Sequence, residues 1–358
     1  MRTLFRLVAA LILIGLAARA AQATPQGVVI GVNRVNLNGL PPPERERIIR
    51  EMVANGVKVA RLNIVRPTPE GIETLRIARA NGLSVVLNIG VLAPEYMAAD
   101  APQRPAIRRF SARPRLSQLD PARFEQRFAT LWHEIERTGA TLVAVEFSNE
   151  LNWADFNGDL NVGERGTVYD AASLARMPGV SDFERGLDNY IGVLKVARRL
   201  RDASRPYGRV PLLSAGIADI PSDWAGRSGG DAVDGAVFLA ALRQRGLFEL
   251  VDGIGLHLYP EGRQWQAHLR RQMTLCGTGG PAQAPCWITE WGVKNMDTTC
   301  PSNDAARAEQ VQQIEAEFLR QAQAGRVKAL IYYDWDSDRR FSIWRCNQLT
   351  PSGRIVLD

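Results

Sequence analysis

Two glutamates that end apolar, β-branched runs are the strongest candidates for chemistry in this sequence. Glu150 follows the run LVAVEF, and Glu290 closes the run CWITE. Cleavage of a glycosidic bond uses two carboxyl groups, one protonated to donate to the leaving oxygen and one ionised to attack or stabilise the anomeric carbon. A structural salt bridge explains either glutamate alone equally well. Two such residues, each flanked by polar and aromatic groups, favour the catalytic interpretation.

Eight short β-rich runs alternate with amphipathic helical stretches and supply the elements that position these residues. Near-continuous apolar runs such as VVLNI, LVAVEF and VKALIYY are typical of parallel strands buried on both faces. The predicted strands are Val28–Asn33, Val57–Ile64, Leu83–Gly90, Leu142–Phe147, Val210–Gly216, Asp252–Leu258, Cys286–Glu290 and Val327–Trp335. Eight strand–helix units predict a (β/α)8 barrel, a TIM barrel formed as a single domain over residues 24–358.

The intervening helices follow from turn signals and the spacing of apolar residues. The first helix is predicted to begin at Pro41-Pro42-Pro43 and to end near Asn55. The other predicted helices are Pro69–Asn81, Pro121–Thr138, Phe183–Ala203, Ala232–Gln244, Ala267–Leu275 and Ala305–Ala324. Residues 341–358 have no clear helical period, so the eighth unit is predicted to be irregular. An open doubly wound sheet is the alternative fold, but Asn33-Arg34-Val35-Asn36 stands where that fold needs a glycine-rich phosphate loop.

The carboxyl ends of the predicted strands carry polar or aromatic side chains, and active sites of this fold form at that face of the barrel. A barrel used only as a scaffold has no need of such groups. In chain order these residues are Asn33, Arg61 with Asn63, Asn88, Asn149 with Glu150, Ser214, His257 with Tyr259, Glu290 with Trp291, and Tyr333 to Trp335.

Several of these strand ends resemble the motifs of clan A glycoside hydrolases, especially families 5 and 39, over most of the chain. The motif VEFSNELN resembles the fourth-strand motif of the clan, and WITEWG resembles the seventh. This resemblance implies that Glu150 is the acid/base, that Asn149 contacts the sugar 2-hydroxyl and that Glu290 is the nucleophile.

Three further motifs are similar to those of the same clan. HLY implies that His257 lies near the acid/base and that Tyr259 contacts the nucleophile, while ARLN implies that the Arg61 cation keeps a neighbouring carboxylate ionised. DWD implies that Trp335 forms an aromatic platform under the sugar. Leu151 stands where the clan usually has proline, and the third strand ends without the histidine of many family 5 members. The resemblance therefore extends to the clan and not to one family.

Aromatic and amide groups near the two glutamates are candidate substrate-binding residues. Trp153 and Trp291 could stack on a sugar face, although packing explains Trp153 equally well. Asn33 and Asn88 are expected to support the site from the first and third strands. Glu146 points inward by strand parity with Glu150. The resemblance to clan A implies that it is a supporting residue, and a buried ion pair with an arginine is the alternative.

These residues predict a retaining β-glycoside hydrolase that acts on an oligo- or polysaccharide by double displacement, without cofactor or metal. A barrel that binds a polysaccharide without cleaving it is the alternative from another class. A transglycosylase using the same two glutamates is the enzymatic alternative. The sugar, the linkage and the choice between endo and exo action depend on loop shape and are not predicted.

The four cysteines all lie in the last quarter of the chain. Four cysteines allow three pairings, of which Cys276–Cys286 with Cys300–Cys346 is favoured because each pair can join neighbouring loops. A metal site is disfavoured, because no two cysteines have C-x-x-C spacing and no histidine lies nearby at ligand spacing.

The N-terminus resembles a secretory signal peptide. Arg2 and Arg6 precede the apolar run Leu7–Ala18, and Ala21-Gln22-Ala23 offers a cleavage site, which predicts a signal over residues 1–23 and a secreted or periplasmic protein. No segment reaches the length of a membrane span. The formal charge of +6 is spread over helices that also carry acidic residues, which does not favour a nucleic-acid partner. The single barrel is expected to be a monomer.

Overall fold

The computed structural model describes residues 27–99, 113–160, 165–260, 264–279 and 283–358. The predicted signal, residues 1–23, lies outside the described residues and stays a prediction. Among the helices in these ranges, none combines the length and apolarity that crossing a bilayer requires.

Parallel strands form one curled sheet whose two edge strands follow each other directly in the chain. The sheet strands are β1 Val29–Asn33, β2 Val59–Ile64, β3 Ser84–Ile89, β4 Leu142–Phe147, β5 Leu212–Leu213, β6 Ile217–Ala218, β7 Ile254–Leu258, β8 Cys286–Trp291 and β9 Val327–Tyr332. Their order is β5-β4-β3-β2-β1-β9-β8-β7-β6. Because β5 and β6 are consecutive in the chain, the sheet returns on itself. The prediction of a (β/α)8 barrel is confirmed.

The fifth predicted strand, Val210–Gly216, is only partly a strand in the structure. β5 lies within it and pairs with β4, whereas β6 begins one residue after its predicted end and pairs with β7. A break at residues 214–216 separates β5 from β6, and single bridges join Leu213 to Gly253 and Asn149 to Gly216. A Cβ atom on Gly216 would lie 2.1 Å from Nε2 of His257. The backbone therefore passes directly against the His257 ring at the break, an approach that only glycine permits.

Helices surround the sheet in the order expected from the sequence. They are α1 Pro42–Ala54, α2 Pro69–Ala80, α3 Pro121–Thr138, α4 Val180–Ala203, α5 Ser222–Ser228, α6 Gly235–Arg243, α7 Leu247–Leu250, α8 Trp265–Gln272, α9 Ala305–Gln323 and α10 Pro351–Leu357. Asp120 and Asp234 cap α3 and α6 by accepting hydrogen bonds from the first free amides. The short helices α5 and α7 were not predicted.

The eighth unit is irregular but contains a helix that was not predicted. Helix α10 packs on α9, and Thr350 caps it by accepting a hydrogen bond from Gly353 N at 3.1 Å. Arg307 on α9 is buried and donates to the carbonyl oxygens of Phe341 and Ser342, each at 3.0 Å. Seven residues form only two turns, too few for a helical period to show in the sequence.

Both predicted disulfides are confirmed. Cys276–Cys286 joins the segment after α8 to the start of β8, and Cys300–Cys346 joins the loop after β8 to the hairpin after β9. No free cysteine occurs among the residues that the structure describes. The second disulfide thus connects two loops at the carboxyl face of the barrel.

The barrel interior is apolar at its lower end and polar at its upper end. The lower layer consists of Val86, Ala144, Leu213, Trp287, Ala329 and Ile331. Two residues further along their strands, Asn88 and Glu146 point into the same interior, as the alternation of side chains along a strand requires. The polar layer therefore begins inside the barrel, directly above its core.

Candidate active site

The end of β4 presents Glu150 through a turn in left-handed backbone. Ser148 and Glu150 have φ values of 79° and 45°. Glu150 N donates to Gly216 O at 2.8 Å, and Trp153 N donates to Glu150 O at 2.9 Å. Non-glycine residues adopt positive φ rarely and at a cost, and such residues are concentrated at functional sites. The backbone of Glu150 is thus fixed from both sides.

An irregularity in β8 turns Glu290 towards the same interior. The pairing register of β8 with β7 shifts between Ile288 and Glu290. As a result, Thr289 and Glu290 both contact interior groups, although they are adjacent in sequence. Bulges of this kind re-aim a side chain and are common beside active sites.

Three side chains donate hydrogen bonds to the buried Glu290 carboxylate. Arg61 Nη1 donates to Oε1 at 2.7 Å, Asn33 Nδ2 to the same oxygen at 3.2 Å, and Tyr259 OH to Oε2 at 2.6 Å. Burial on its own opposes ionisation, but the His257 and Arg61 charges and the Tyr259 hydroxyl outweigh it and lower the pKa of Glu290. The arrangement holds this carboxylate in the ionised form that a nucleophile needs.

Glu150 has the opposite environment. It is buried, and a hydrogen bond joins its Oε1 to His257 Nδ1 at 2.7 Å. Burial raises the pKa of Glu150, against the hydrogen bond and charge of His257 and with the help of the Glu290 charge. The two carboxyl groups are therefore driven to opposite protonation states, the pattern that separates an acid from a nucleophile.

His257 lies between the two carboxyl groups. Its Nδ1 is 2.7 Å from Glu150 Oε1 and 3.6 Å from Glu290 Oε2. Burial would lower the pKa of His257, but the two carboxylates outweigh it and raise it. One ligand atom from each of the three residues lies within 4.8 Å of the others, so they could in principle surround a metal ion. However, the Arg61 cation already occupies the neighbourhood of Glu290, which disfavours a second cation.

Two more of the amides expected at the site, Asn149 and Asn88, lie beside Arg61 and Glu146. Asn149 Oδ1 accepts a hydrogen bond from Arg61 Nη2 at 2.9 Å. Asn88 Nδ2 donates to Glu146 Oε2 at 2.9 Å and to Ser148 O at 2.8 Å. Asn88 thus supports the β4 turn, and its contacts in the structure are with Glu146 and that turn.

Two of the predicted sugar-stacking tryptophans need correction. Trp291 is 1% exposed and packs on Phe318 and Tyr332 at ring distances of 5.3 and 4.8 Å, because the register shift in β8 turns it towards α9. Trp335 is fully buried and stacks on Trp344 at 5.3 Å, so it presents no open platform.

Tyr333, directly after β9, is an aromatic residue of this strand end that lies beside Tyr259. Its ring lies 6.0 Å from that of Tyr259 and 5.6 Å from that of Phe341. Burial and then the negative charge of Glu290 raise the pKa of Tyr333. The aromatic ending of the eighth predicted strand was the signal that could have found this residue.

Trp153 lies three residues beyond Glu150 in the chain. Its ring packs edge-on against Trp224 of α5 at 4.6 Å and against Phe156 at 5.8 Å. It is 8% exposed. Contact of Trp153 with a substrate stays a prediction.

Comparison with known proteins supports the fold. No protein-family model matches the chain, and no curated protein matches it. Among solved structures, an exo-β-1,4-mannosidase from Opitutaceae bacterium strain TAV5 aligns over 92% of this chain and 58% of its own, with 11% identity and a TM-score of 0.54. At this identity the similarity shows that the two proteins share a fold.

Gas2p of Saccharomyces cerevisiae, solved with laminaritetraose and laminaripentaose, aligns over 93% of this chain and 64% of its own, with 12% identity and a TM-score of 0.46. A second Gas2 structure gives a TM-score of 0.49 with 65% of its chain covered. This chain thus spans about 58–65% of the length of these structures.

Proposed function

We propose that this protein is a retaining β-glycoside hydrolase. The observation that carries the proposal is one buried pair of carboxyl groups, Glu150 and Glu290, with oxygen atoms within 4.8 Å and with opposite shifts in pKa. Carboxyl groups about 5–5.5 Å apart favour double displacement, whereas inverting enzymes hold them about 6.5–9.5 Å apart to admit a water molecule. The clan A motifs around both residues support the same function.

In the first step, a Glu290 oxygen attacks the anomeric carbon and forms a glycosyl ester. Glu150 gives its proton to the glycosidic oxygen as the bond to the leaving group breaks. In the second step, Glu150 removes a proton from water, the water oxygen attacks the same carbon, and Glu290 leaves as a carboxylate. Two inversions at one carbon return the starting configuration.

The surrounding groups have separate roles in this proposal. Arg61 and Tyr259 stabilise the charge of Glu290 before attack and after release. His257 stabilises Glu150 as an anion once its proton has left, through the 2.7 Å contact. Arg61 binds the carbonyl oxygen of Asn149, which leaves the Asn149 NH2 group to meet the sugar 2-hydroxyl.

The substrate class in this proposal is an oligo- or polysaccharide with β-glycosidic bonds. A non-catalytic polysaccharide-binding barrel has no need for two buried carboxyl groups in opposite protonation states. A transglycosylase would use the same residues and differ only in which acceptor reaches the glycosyl ester. In this proposal the acceptor of the glycosyl group is water.

We also propose that the protein is exported. The N-terminal segment has the composition of a secretory signal, and the two disulfides suit an oxidising compartment such as the periplasm or the cell exterior.

A substrate screen tests the proposed function. The purified protein is incubated with β-glucans, xylan, mannan and aryl β-glycosides, and products are identified by chromatography and mass spectrometry. Glu290→Gln, which keeps the shape of the side chain, is the control for contaminating activity. We expect release of sugar or oligosaccharide from at least one β-linked substrate by the unsubstituted protein alone. Binding of a glycan without turnover would support the non-catalytic alternative, and transfer to a sugar acceptor in place of water would support the transglycosylase.

A further inference from the structure

Glu146 is a completely buried acid inside the barrel, one level below the two catalytic candidates. Its Oε2 accepts hydrogen bonds from Arg61 Nε at 2.7 Å and Asn88 Nδ2 at 2.9 Å, and Arg61 Nη2 lies 2.6 Å from it. Its Oε1 accepts a hydrogen bond from Thr289 Oγ1 at 2.6 Å. Groups from β2, β3 and β8 thus all donate to this one side chain of β4, the pattern of an ionised carboxylate.

The barrel backbone makes room for Glu146 at a specific point. A Cβ atom on Gly255 of β7 would lie 2.6 Å from Glu146 Oε1. The space across the barrel axis is therefore filled by this carboxylate, and its position is fixed by contacts on both oxygens. A side chain held by four such contacts cannot move without moving Arg61.

Arg61 is shared between Glu146 and Glu290. One edge of its guanidinium faces Glu146, while Nη1 donates to Glu290 Oε1 at 2.7 Å and Nη2 to Asn149. Two carboxylates therefore divide one buried positive charge. Without Glu146, Arg61 would stabilise the Glu290 anion more strongly, because opposite charges in contact away from water interact strongly.

We propose that Glu146 is a positioning residue for glycoside cleavage: a buried counter-charge that fixes the Arg61 guanidinium and leaves Glu290 enough negative charge to attack carbon. Glu146 does not reach the reacting atoms and acts through Arg61. This inference rests on the proposed function, which gives Glu290 its role as nucleophile.

Several other titratable side chains interact electrostatically with Glu146 and Glu290. The titratable and charged side chains around Glu146 and Glu290 are Arg61 of β2, Glu150 after β4, Tyr190 of α4, His257 of β7, Tyr259 after β7 and Tyr333 after β9. Arg61 is the permanent cation of this set, and Glu146 is the anion closest to it. Removal of the Glu146 charge must therefore favour the ionised forms of both remaining carboxyl groups.

Glu146→Gln removes this charge and can keep the contacts. The Gln amide oxygen can accept from Arg61 and Asn88, while its NH2 group donates to Thr289 Oγ1. We expect both limbs of the pH–activity profile to move towards acid by about one to two pH units, since the Glu146 anion, which shares Arg61 with Glu290, no longer opposes ionisation of the two carboxyl groups. The matched control is Thr289→Val, which removes a hydrogen bond from Glu146 and leaves its charge. The control should keep both limbs within about 0.3 unit of the unsubstituted protein.

Unmoved limbs in Glu146→Gln, or a shift towards alkaline pH, would overturn the proposal. A shift in Thr289→Val as large as that in Glu146→Gln would also overturn it, because the network and not the charge would be responsible. If Glu146→Gln does not fold, Glu146→Asp replaces it, because the shorter side chain withdraws the carboxylate from Arg61. Both limbs should then move towards acid by a smaller amount, and unmoved limbs would overturn the inference.

A residue-assigned ¹³C NMR titration of Glu290 separates this inference from the proposed function. If no glycan is cleaved, the proposed function fails and no activity profile exists. The pKa of Glu290 can still be compared in the unsubstituted protein and Glu146→Gln. A lower value in the variant supports the counter-charge, and an equal or higher value contradicts it.

Discussion

Covalent trapping of Glu290 should lower the pKa of Glu150. A slow glycosyl donor with a good leaving group converts the Glu290 carboxylate into a neutral ester and leaves Glu150 unchanged. The negative charge that faces Glu150 in the free protein is then absent. Glu150 should therefore lose its proton more easily, as the second step of double displacement requires of a base.

The size of this change follows from the separation of the two groups. Two unit charges with oxygens about 4.8 Å apart interact by about 3.5 kcal/mol at an effective dielectric constant of about 20, or about two and a half pKa units. His257 lies 2.7 Å from Glu150, and its protonation changes when the charge of Glu150 changes. This response offsets part of the expected fall in the pKa of Glu150. We expect a fall of about one to two units.

The measurement is a ¹³C NMR titration of Glu150 in protein labelled at glutamate carboxyl carbons, before and after trapping. Mass spectrometry confirms complete esterification at Glu290. Trapped Glu150→Gln identifies the Glu150 signal by its absence. An unchanged or higher pKa of Glu150 after trapping would show that the two carboxyl groups are not coupled and would refute the assignment of their roles.

Three further predictions concern catalysis and stability. Glu290→Gln should abolish turnover of every substrate, whereas Glu150→Ala should keep activity on substrates whose leaving group needs no proton and should recover part of the rest with azide. Replacing Cys300–Cys346 by serines should cost about 4 kcal/mol of unfolding free energy and replacing Cys276–Cys286 about 2.7 kcal/mol, because they close loops of 46 and 10 residues. Burial and the nearby Asp358 raise the pKa of Glu315 to about 7 from its ordinary 4.5, so the folded protein should lose stability as the pH rises between these values, and Glu315→Gln should remove that loss.

Each of these predictions has its own control. Circular dichroism must show that the glutamate variants are folded, and equal losses of Glu150→Ala on activated and unactivated substrates would count against Glu150 as the acid. Urea unfolding compares the two serine double variants, and an equal or reversed order of stability would contradict the loop-closure reasoning. Glu317→Gln on the same helix is the control for Glu315, and a pH dependence of melting temperature that both variants keep would assign the loss to another group.

Sequence patterns predicted the barrel because its strands are buried on both faces and read as continuous apolar runs. They placed Arg61, His257, Tyr259, Glu150 and Glu290 at strand ends, and these five residues meet in the structure. Side chains at the carboxyl ends of regular parallel strands lie on one face of a barrel, regardless of the conformation of the loops that follow. That convergence is why the centre of the site could be predicted.

Predictions failed where regular strand geometry breaks. The register shift in β8 makes Thr289 and Glu290 both point inward and sends Trp291 to the helix layer. Strand parity alone cannot reveal such a shift, because one extra residue reverses the side of everything after it. Beyond the last residue of β9 parity also ends, and the burial of Trp335 could therefore not be predicted.

The contacts of Glu146 were equally hidden from the sequence. Parity put its side chain inside the barrel, but its sharing of Arg61 with Glu290 depends on three strands meeting across the axis. Only the closed barrel brings these groups within hydrogen-bonding distance.

The configuration of the first product tests the central claim most directly. A β-linked substrate identified in the screen is cleaved in an NMR tube, and the anomeric proton of the new reducing end is recorded before mutarotation. Double displacement by Glu290 and Glu150 predicts the β-anomer as the first product, with the α-anomer appearing only later. An α-anomer that forms first would mean a single displacement by water, and the assignment of Glu290 as a nucleophile would be wrong.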